Sequence, residues 1–118
     1  PILIGLVGSE MCIRDSLKTA GGITRITLNS PPVSNWFENP AFFEDTLPYS
    51  RGDILVLLTD GVTESKGGRG EMFGSERAIK ALSVSRSADE FIKTLQRNLK
   101  EFCGGRFNDD ITAIAFDL

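Results

Sequence analysis

The chain has 118 residues, of which 41% are hydrophobic and 25% charged, a composition typical of one small soluble globular domain. Its 13 basic and 16 acidic residues leave a formal net charge of -3, which disfavours nucleic acid and anionic lipid as main partners. The sequence has no histidine, which excludes a Ser-His-Asp triad, a histidine general base and the commonest zinc sites, so any metal must be held by oxygen ligands.

The cysteine usage and the hydropathy pattern indicate an intracellular, soluble protein. Cys12 and Cys103 lie far apart without a CxxC pair, which indicates neither a disulfide framework nor a thiolate metal site. Cys103 lies near the apolar face of a predicted helix end, and we interpret it as a small buried hydrophobe. No apolar run approaches the roughly 20 residues that cross a bilayer, and no basic segment precedes residues 2–7. We therefore expect a cytoplasmic location and no membrane contact in this segment.

The first part of the chain differs in character from the rest. The apolar residues of 5–16 (GLVGSEMCIRDS) follow neither the period of a strand nor that of a helix. This stretch resembles a peptide that recurs at the ends of translated metagenomic reading frames, where sequencing-adapter sequence is read in frame with a truncated gene. We predict that residues 1–16 are non-native; the alternative is a genuine strand over 2–7 followed by a loop. Residues 17–118 then form a fragment of 118 − 16 = 102 residues.

Strands are predicted first along this fragment. Loose alternation and β-branched residues predict a strand over 22–28. Residues 29–50 combine several prolines with Trp36 and phenylalanines, which is typical of irregular backbone held by buried aromatic rings, with a short strand near 42–47. A turn signal then precedes the apolar run 54–59, which predicts the most deeply buried strand of the chain.

Two helices and a last strand follow a glycine-rich loop. A modest helix is predicted around 76–83. The capping box formed by Ser87 and Glu90, with apolar residues at helical spacing after it, predicts an amphipathic helix that ends near Gly104. The strand 111–116 closes the chain. Because the two helices are consecutive, we expect an α+β layered fold rather than a strictly alternating parallel one.

Carboxylates lie at the ends of the two best predicted strands. Asp60, followed by Gly61, comes after the buried strand, and Asp109 and Asp110 precede the last one. If these strands are antiparallel neighbours, Asp60 and Asp109 meet at one edge of the sheet; if they are parallel, roughly 20 Å separates them. Carboxylates without histidine or thiolate are ligands for Mg²⁺ or Mn²⁺. Each of the two aspartate-containing segments alone is typical of a turn. Their positions at the ends of two buried strands favour a metal site.

Three segments carry a family resemblance: 52–64 (GDILVLLTDGVTE), 70–74 (GEMFG) and 108–112 (NDDIT). In order and spacing they are similar to the C-terminal half of PPM-type protein serine/threonine phosphatases, and within that family to the bacterial SpoIIE branch, which regulates sigma factors. The resemblance covers residues 20–118 and implies the C-terminal part of an αββα sandwich with a two-metal Mn²⁺ or Mg²⁺ centre. It further implies hydrolysis of a phosphoserine on an anti-anti-sigma-type protein, with metal-bound water as the nucleophile.

The resemblance assigns roles to single residues. Asp60 matches the aspartate of the family's Asp-Gly motif, and Asp109 matches the first position of its Asp-Asp/Asn-x-Thr motif, which makes both of them metal ligands. Gly61, Asp110 and Glu64 take supporting roles. Gly61 in particular leaves room for backbone or a metal-bound water close to the ion.

One departure from the family affects activity. The remaining metal ligands of the family lie in an N-terminal aspartate motif, and nothing between residues 17 and 51 supplies it, because Asp45 lacks the glycines which that motif needs. We therefore expect weak metal binding and little or no phosphatase activity from this chain. An incomplete sandwich also exposes apolar surface, so we expect marginal stability or association.

Other functions stay open beside this enzyme. A haloacid-dehalogenase-type phosphatase also ends an apolar strand with Asp-Gly, but its nucleophilic aspartate would fall on Leu58. A receiver-like phosphoacceptor domain has the wrong order of elements. A non-catalytic phosphatase-like domain that binds a phosphoprotein is the main alternative. Lys66 and Arg69 of the glycine-rich loop are interpreted as solvated surface charges rather than phosphate ligands.

Overall fold

The structure, a computed structural model, describes residues 2–4, 14–26, 45–107 and 110–118. Its strands are β1 (Ile2–Ile4), β2 (Arg14–Thr19), β3 (Gly22–Ile26), β4 (Asp45–Leu47), β5 (Ile54–Leu58) and β6 (Ala113–Asp117). Its helices are α1 (Asp60–Thr63), α2 (Gly74–Val84) and α3 (Ala88–Cys103).

Four strands form the main sheet in the order β3-β2-β5-β6, and every neighbouring pair is antiparallel. β1 and β4 form a separate antiparallel pair. β5 lies inside the main sheet, where its continuous apolar sequence is buried on both faces: four of its five residues are buried. The predicted buried strand is therefore confirmed.

One face of the sheet is covered by the two long helices. Ile54, Val56 and Leu58 alternate onto this face and are buried with helix residues such as Phe91 and Leu95. The complete set of buried residues in this core is Ile54, Val56, Leu58, Val62, Phe73, Ala78, Ala81, Leu82, Ala88, Phe91, Leu95 and Leu99. The predicted α+β layering, with a consecutive helix pair against an antiparallel sheet, is confirmed.

Local signals set the ends of α3 as predicted. The Ser87 hydroxyl accepts a hydrogen bond from the Glu90 backbone N–H at 3.1 Å, which caps the first turn. Gly104 takes the left-handed conformation (φ 61°) just after the last turn. Cys103 is buried, in agreement with its interpretation as a core residue.

A lysine of β2 ties α2 to the sheet. The Lys18 ammonium donates to the backbone carbonyls of Leu82 and Ser83, each at 3.0 Å, and to that of Ser85. These carbonyls end α2, where the helix leaves acceptors unpaired and where a positive charge is stabilised. The contact therefore fixes the end of α2 over β2.

The opposite face of the sheet is apolar but only partly covered. Leu17, Ile26 and Leu55 form a second buried cluster, and Leu47 of β4 packs against it. On β6 the residues that alternate onto this face are Ile114 and Phe116, and each is 47% exposed. Large apolar side chains therefore remain at the surface on the β6 side of this face.

Three elements differ from the sequence-based expectations. β2 was not predicted. It includes residues on both sides of position 16, where the sequence analysis places the end of a non-native segment. The non-native origin of residues 1–16 stays a prediction. The strand of the alternative interpretation is present at Ile2–Ile4. α1, a single helical turn directly after β5, was not predicted either. Trp36 and the neighbouring phenylalanines lie outside the described residues.

In the described ranges no helix is long and apolar enough to cross a bilayer.

β2 also carries a buried carboxyl in apolar surroundings. Asp15 is only 4% exposed and lies opposite Ile26 on one side and Leu57 on the other. Within the described part of the chain, its Oδ1 atom has no hydrogen-bond partner. Burial raises the pKa of Asp15 from 3.8 to about 6, because removal from water disfavours the charged form.

This raised pKa predicts a pH-dependent stability. Between pH 4 and pH 6 the folded chain binds more protons at Asp15 than the unfolded chain does, so the free energy of unfolding falls as the pH rises. Asp15→Asn removes the charge and should raise that free energy by about 3 kcal/mol at pH 7.5 while leaving it little changed at pH 4. Urea denaturation at both pH values measures the effect. Asp89→Asn makes the same charge change at an exposed site on α3 and should leave the pH dependence of stability in place. A free energy of unfolding of the wild type that does not change from pH 4 to pH 7 would contradict the prediction.

The exposed apolar residues of β6 predict self-association. We expect the wild-type chain to sediment as a species larger than a monomer, because contact between such surfaces removes apolar area from water. The double variant Ile114→Lys and Phe116→Lys should shift the sedimentation coefficient to that of a monomer. Val84→Lys, at a 62% exposed apolar site on α2, is the matched control and should not shift it.

Candidate functional site

The end of β5 and the start of β6 form one edge of the sheet. The two strands are antiparallel neighbours, and Leu58 lies opposite Ala113. Asp60 follows β5 and Asp110 precedes β6, so the backbone brings both to this edge. Asp109 lies outside the described residues, directly before Asp110. The antiparallel arrangement on which the predicted site depends is therefore present.

The strand ladder continues one pair beyond the strands themselves. The Thr59 backbone N–H donates to the Thr112 carbonyl at 3.1 Å. The Thr59 hydroxyl accepts from the Thr112 backbone N–H at 3.1 Å and donates to the Thr112 carbonyl at 3.3 Å. Sequence reasoning missed this pair; the available signal was a threonine directly before Asp60 and another two residues after Asp110.

Gly61 lies directly against the backbone that leads into β6. A Cβ atom built at Gly61 would be 2.0 Å from the Asp110 carbonyl oxygen and 3.0 Å from its carbonyl carbon. No side chain other than hydrogen fits at this distance. The backbone of Asp110 therefore occupies the space that a side chain at position 61 would need, whereas the predicted approach of backbone or a metal-bound water to the ion stays a prediction.

α1 holds Asp60 at its first position. The Asp60 carbonyl accepts from the Glu64 backbone N–H at 2.8 Å and from the Thr63 hydroxyl at 3.3 Å. The Ser65 hydroxyl donates to the Gly61 carbonyl at 2.5 Å. Glu64 is exposed and ends this turn. The turn that presents Asp60 is therefore fixed by hydrogen bonds at both of its ends.

The glycine-rich loop folds back on itself as a hairpin after α1. Lys66 bridges to Met72, and the Phe73 backbone N–H donates to the Ser65 carbonyl at 2.7 Å. Phe73 is buried and meets Phe102 of α3 edge to face, with ring centroids 5.4 Å apart. Phe73 therefore anchors the hairpin in the core.

The outer surface of this hairpin carries its charges. Lys66 and Arg69 are exposed, in agreement with their solvated interpretation. The Arg69 backbone N–H donates to the Glu71 carboxylate at 3.0 Å. Arg77 lies 4.5 Å from the Phe102 ring centroid and donates to the carbonyls of Met72 and Phe73, so its charge is used within the fold.

A groove of about 470 Å³ lies beside Asp110, between α3 and the start of β6. Asp110 and Gln96 are its polar residues. The full lining is Ile92, Leu95, Gln96, Leu99, Phe107, Asp110, Ile111 and Ala113. The edge that carries the carboxylates is therefore continuous with apolar surface on the helix side of the sheet.

The chemistry of this edge suits a hard cation. Asp60 and Asp110 supply carboxylate oxygens, which are the ligands that Mg²⁺ and Mn²⁺ prefer. Because Gly61 has no side chain, the segments that carry these two residues lie in contact. In the described ranges no group of three or more histidine, cysteine, aspartate or glutamate side chains gathers. The described residues thus fit part of a metal centre, and Leu58, where a covalent phosphatase would carry its aspartate, is apolar and buried.

Comparison with known sequences gives a family match and a related protein. Residues 19–118 match the family described as Stage II sporulation protein E (SpoIIE). The chain is also 31% identical over 96 residues to Protein IcfG of Synechocystis sp., a match that covers 80% of this chain and 15% of that protein. The chain therefore spans a small part of this relative.

Solved structures show the same fold. The SiaA-PP2C domain of Pseudomonas aeruginosa aligns with a TM-score of 0.71 at 23% identity, covering 90% of this chain and 43% of that one. The phosphatase domain of the cell fate determinant SpoIIE from Bacillus subtilis, presoaked with Mn, aligns with a TM-score of 0.61 at 13% identity, covering 99% and 56%. The described elements thus correspond to about half of a PP2C phosphatase domain.

The contact at Gly61 yields a test of this edge. Gly61→Ala places a methyl group where the Asp110 carbonyl lies, so β6 or α1 must shift, and we expect a loss of about 1 to 3 kcal/mol in the free energy of unfolding. Gly68→Ala is the matched control, because a Cβ there meets nothing within 4 Å. Urea denaturation compares the two. Equal stability of both variants would show that the two segments do not pack this closely.

Proposed function

This chain belongs to the SpoIIE family, and from that premise we propose that it is the C-terminal part of a metal-dependent protein serine/threonine phosphatase domain. The observation that supports this most is the antiparallel pairing of β5 with β6, which brings Asp60 and Asp110 to one edge. A parallel pairing would have separated the two carboxylate groups by the length of a strand.

The proposed ligands are Asp60 and Asp109, with Mn²⁺ or Mg²⁺ as the bound ions. When bound, such ions activate a water molecule and neutralise charge on the phosphoryl group. Gly61 keeps the two segments in contact, Asp110 continues the ligand-bearing segment, and Glu64 closes the turn below Asp60. These residues hold the carboxylates in place rather than contact the reacting phosphorus.

The residues of this edge do not follow the pattern of a covalent phosphatase. The chain has no histidine, and the position two residues before Asp60 is the buried Leu58, which leaves no aspartate for a covalent phosphoenzyme. A water nucleophile is consistent with this composition.

The proposed substrate is a phosphoserine on an anti-anti-sigma-type protein, and the parent protein would act in bacterial sigma-factor regulation. Support for this comes from the resemblance of the Asp-Gly and Asp-Asp-Ile-Thr segments to the SpoIIE branch, together with the family match. The main alternative is a domain of the same fold that binds a phosphoprotein without hydrolysing it.

The chain spans about half of the similar phosphatase domains, which predicts low activity. We expect little or no Mn²⁺-dependent hydrolysis of a phosphoserine peptide by the 118-residue chain, because nothing between residues 17 and 51 supplies the family's N-terminal aspartate motif. Robust turnover by this chain would show that the ligand assignment is wrong.

Hydrolysis measured on a longer protein that includes this segment distinguishes an enzyme from a binding domain. If that protein is the proposed phosphatase, it hydrolyses the phosphoserine peptide in the presence of Mn²⁺, and the change corresponding to Asp60→Asn lowers kcat/KM by at least about 100-fold. Binding of the peptide without turnover would favour the non-catalytic alternative.

A further inference from the structure

We propose that Thr59 is a positioning residue for the metal site, and that its hydroxyl holds the two carboxylate-bearing segments in register. The proposal rests on the proposed function, since it assigns Thr59 a role toward an ion held by Asp60. It is carried by the hydrogen bonds between Thr59 and Thr112 and by the position of α1.

The β5–β6 ladder ends with an incomplete pair of backbone hydrogen bonds. Thr59 and Thr112 are opposite each other, one step beyond the Leu58 and Ala113 pair. In a hydrogen-bonded antiparallel pair, each residue donates its N–H to the carbonyl of the other. Here only one of these two backbone bonds forms, from the Thr59 N–H to the Thr112 carbonyl.

The start of α1 accounts for the backbone bond that does not form. The Thr59 carbonyl accepts from the Val62 backbone N–H at 3.0 Å, which is the bond that begins α1. The strand must end here because α1 has to start at Asp60. The Thr112 N–H consequently loses its backbone acceptor, and the Thr59 hydroxyl takes that place at 3.1 Å.

The Thr59 hydroxyl does not cap α1. A threonine directly before a helix ordinarily accepts a hydrogen bond from an N–H of the first helical turn. Thr59 occupies this position before α1, yet its side chain makes no capping bond. Its oxygen bonds to β6 instead, so the local preference yields to a contact across 53 residues of sequence.

The Thr59 hydroxyl therefore takes the place of a backbone acceptor at the position where the β5–β6 ladder ends and the turn that carries Asp60 begins. It links the residue before Asp60 to the residue two positions after Asp110. Together with the contact between Gly61 and the Asp110 carbonyl, it sets the spacing of the two segments. Groups that orient metal ligands from outside the coordination sphere typically change affinity 10- to 100-fold when removed.

The test measures Mn²⁺ binding by the 118-residue chain, through the paramagnetic broadening of backbone amide signals at increasing Mn²⁺. In the wild type we expect broadening centred on the amides near Asp60 and Asp110. Thr59→Val keeps the β-branched shape but loses the hydroxyl, and should need about tenfold more Mn²⁺ for the same broadening. Thr59→Ser retains the hydroxyl and should restore the wild-type response.

A second readout does not depend on metal. Hydrogen exchange of the Thr112 amide should be about tenfold faster in Thr59→Val and close to wild type in Thr59→Ser, because only the valine variant lacks the acceptor. Thr24→Val, at an exposed strand position on β3, is the matched control and should change neither measurement.

The outcomes separate the two proposals. If Asp60→Asn abolishes the broadening while Thr59→Val responds like the wild type, the positioning role is wrong and the proposed metal site stands. If Thr59→Ser fails to restore binding, the hydroxyl is not the cause and the inference is overturned. If wild type and Asp60→Asn show the same weak, diffuse broadening, the metal site itself is wrong, and the role of Thr59 toward it is wrong as well.

Discussion

The antiparallel pairing of β5 with β6 is the constraint on which the site depends. The end of β5 lies beside the start of β6, so Leu58 and Ala113, which are 55 positions apart in sequence, become neighbours at one edge of the sheet. The pairing also sets a steric demand, because the chain leaving β5 must pass within contact distance of the chain entering β6. Glycine at position 61 meets that demand, and Thr59 completes the hydrogen bonding where the ladder ends.

The rest of the fold keeps this pair of strands in place. On the helix side, the apolar residues of β5 pack against α2 and α3, and Lys18 ties the end of α2 to β2. The hairpin after α1 is anchored through Phe73 against Phe102, which limits movement of the turn that presents Asp60. The carboxylate edge is thus built on a rigid sheet and helix layer rather than on a long loop.

On the opposite face of the sheet, large apolar residues of β6 remain exposed. Phosphatase domains of the same fold are about twice as long as the part matched here, and this chain leaves Ile114 and Phe116 half exposed on that face. On the same face Asp15 is buried among leucine and isoleucine side chains, with one oxygen unpaired among the described residues. A carboxyl in that environment opposes folding when charged, whereas an apolar residue would contribute to the cluster.

The sequence by itself determined the features that depend on near neighbours along the chain. The capping box at Ser87 and the glycine at 104 set the ends of α3, the unbroken apolar run set β5, and the lack of histidine restricted any metal ligands to oxygen. The two Asp-containing turns were recognisable, but each was ambiguous alone. Only the tertiary structure decided that β5 and β6 are antiparallel neighbours, that residues 14–19 form a strand, and that the Thr59 hydroxyl bonds to β6 instead of capping α1. These features depend on contacts between distant parts of the chain, and local propensity carries no information about which strand lies beside which.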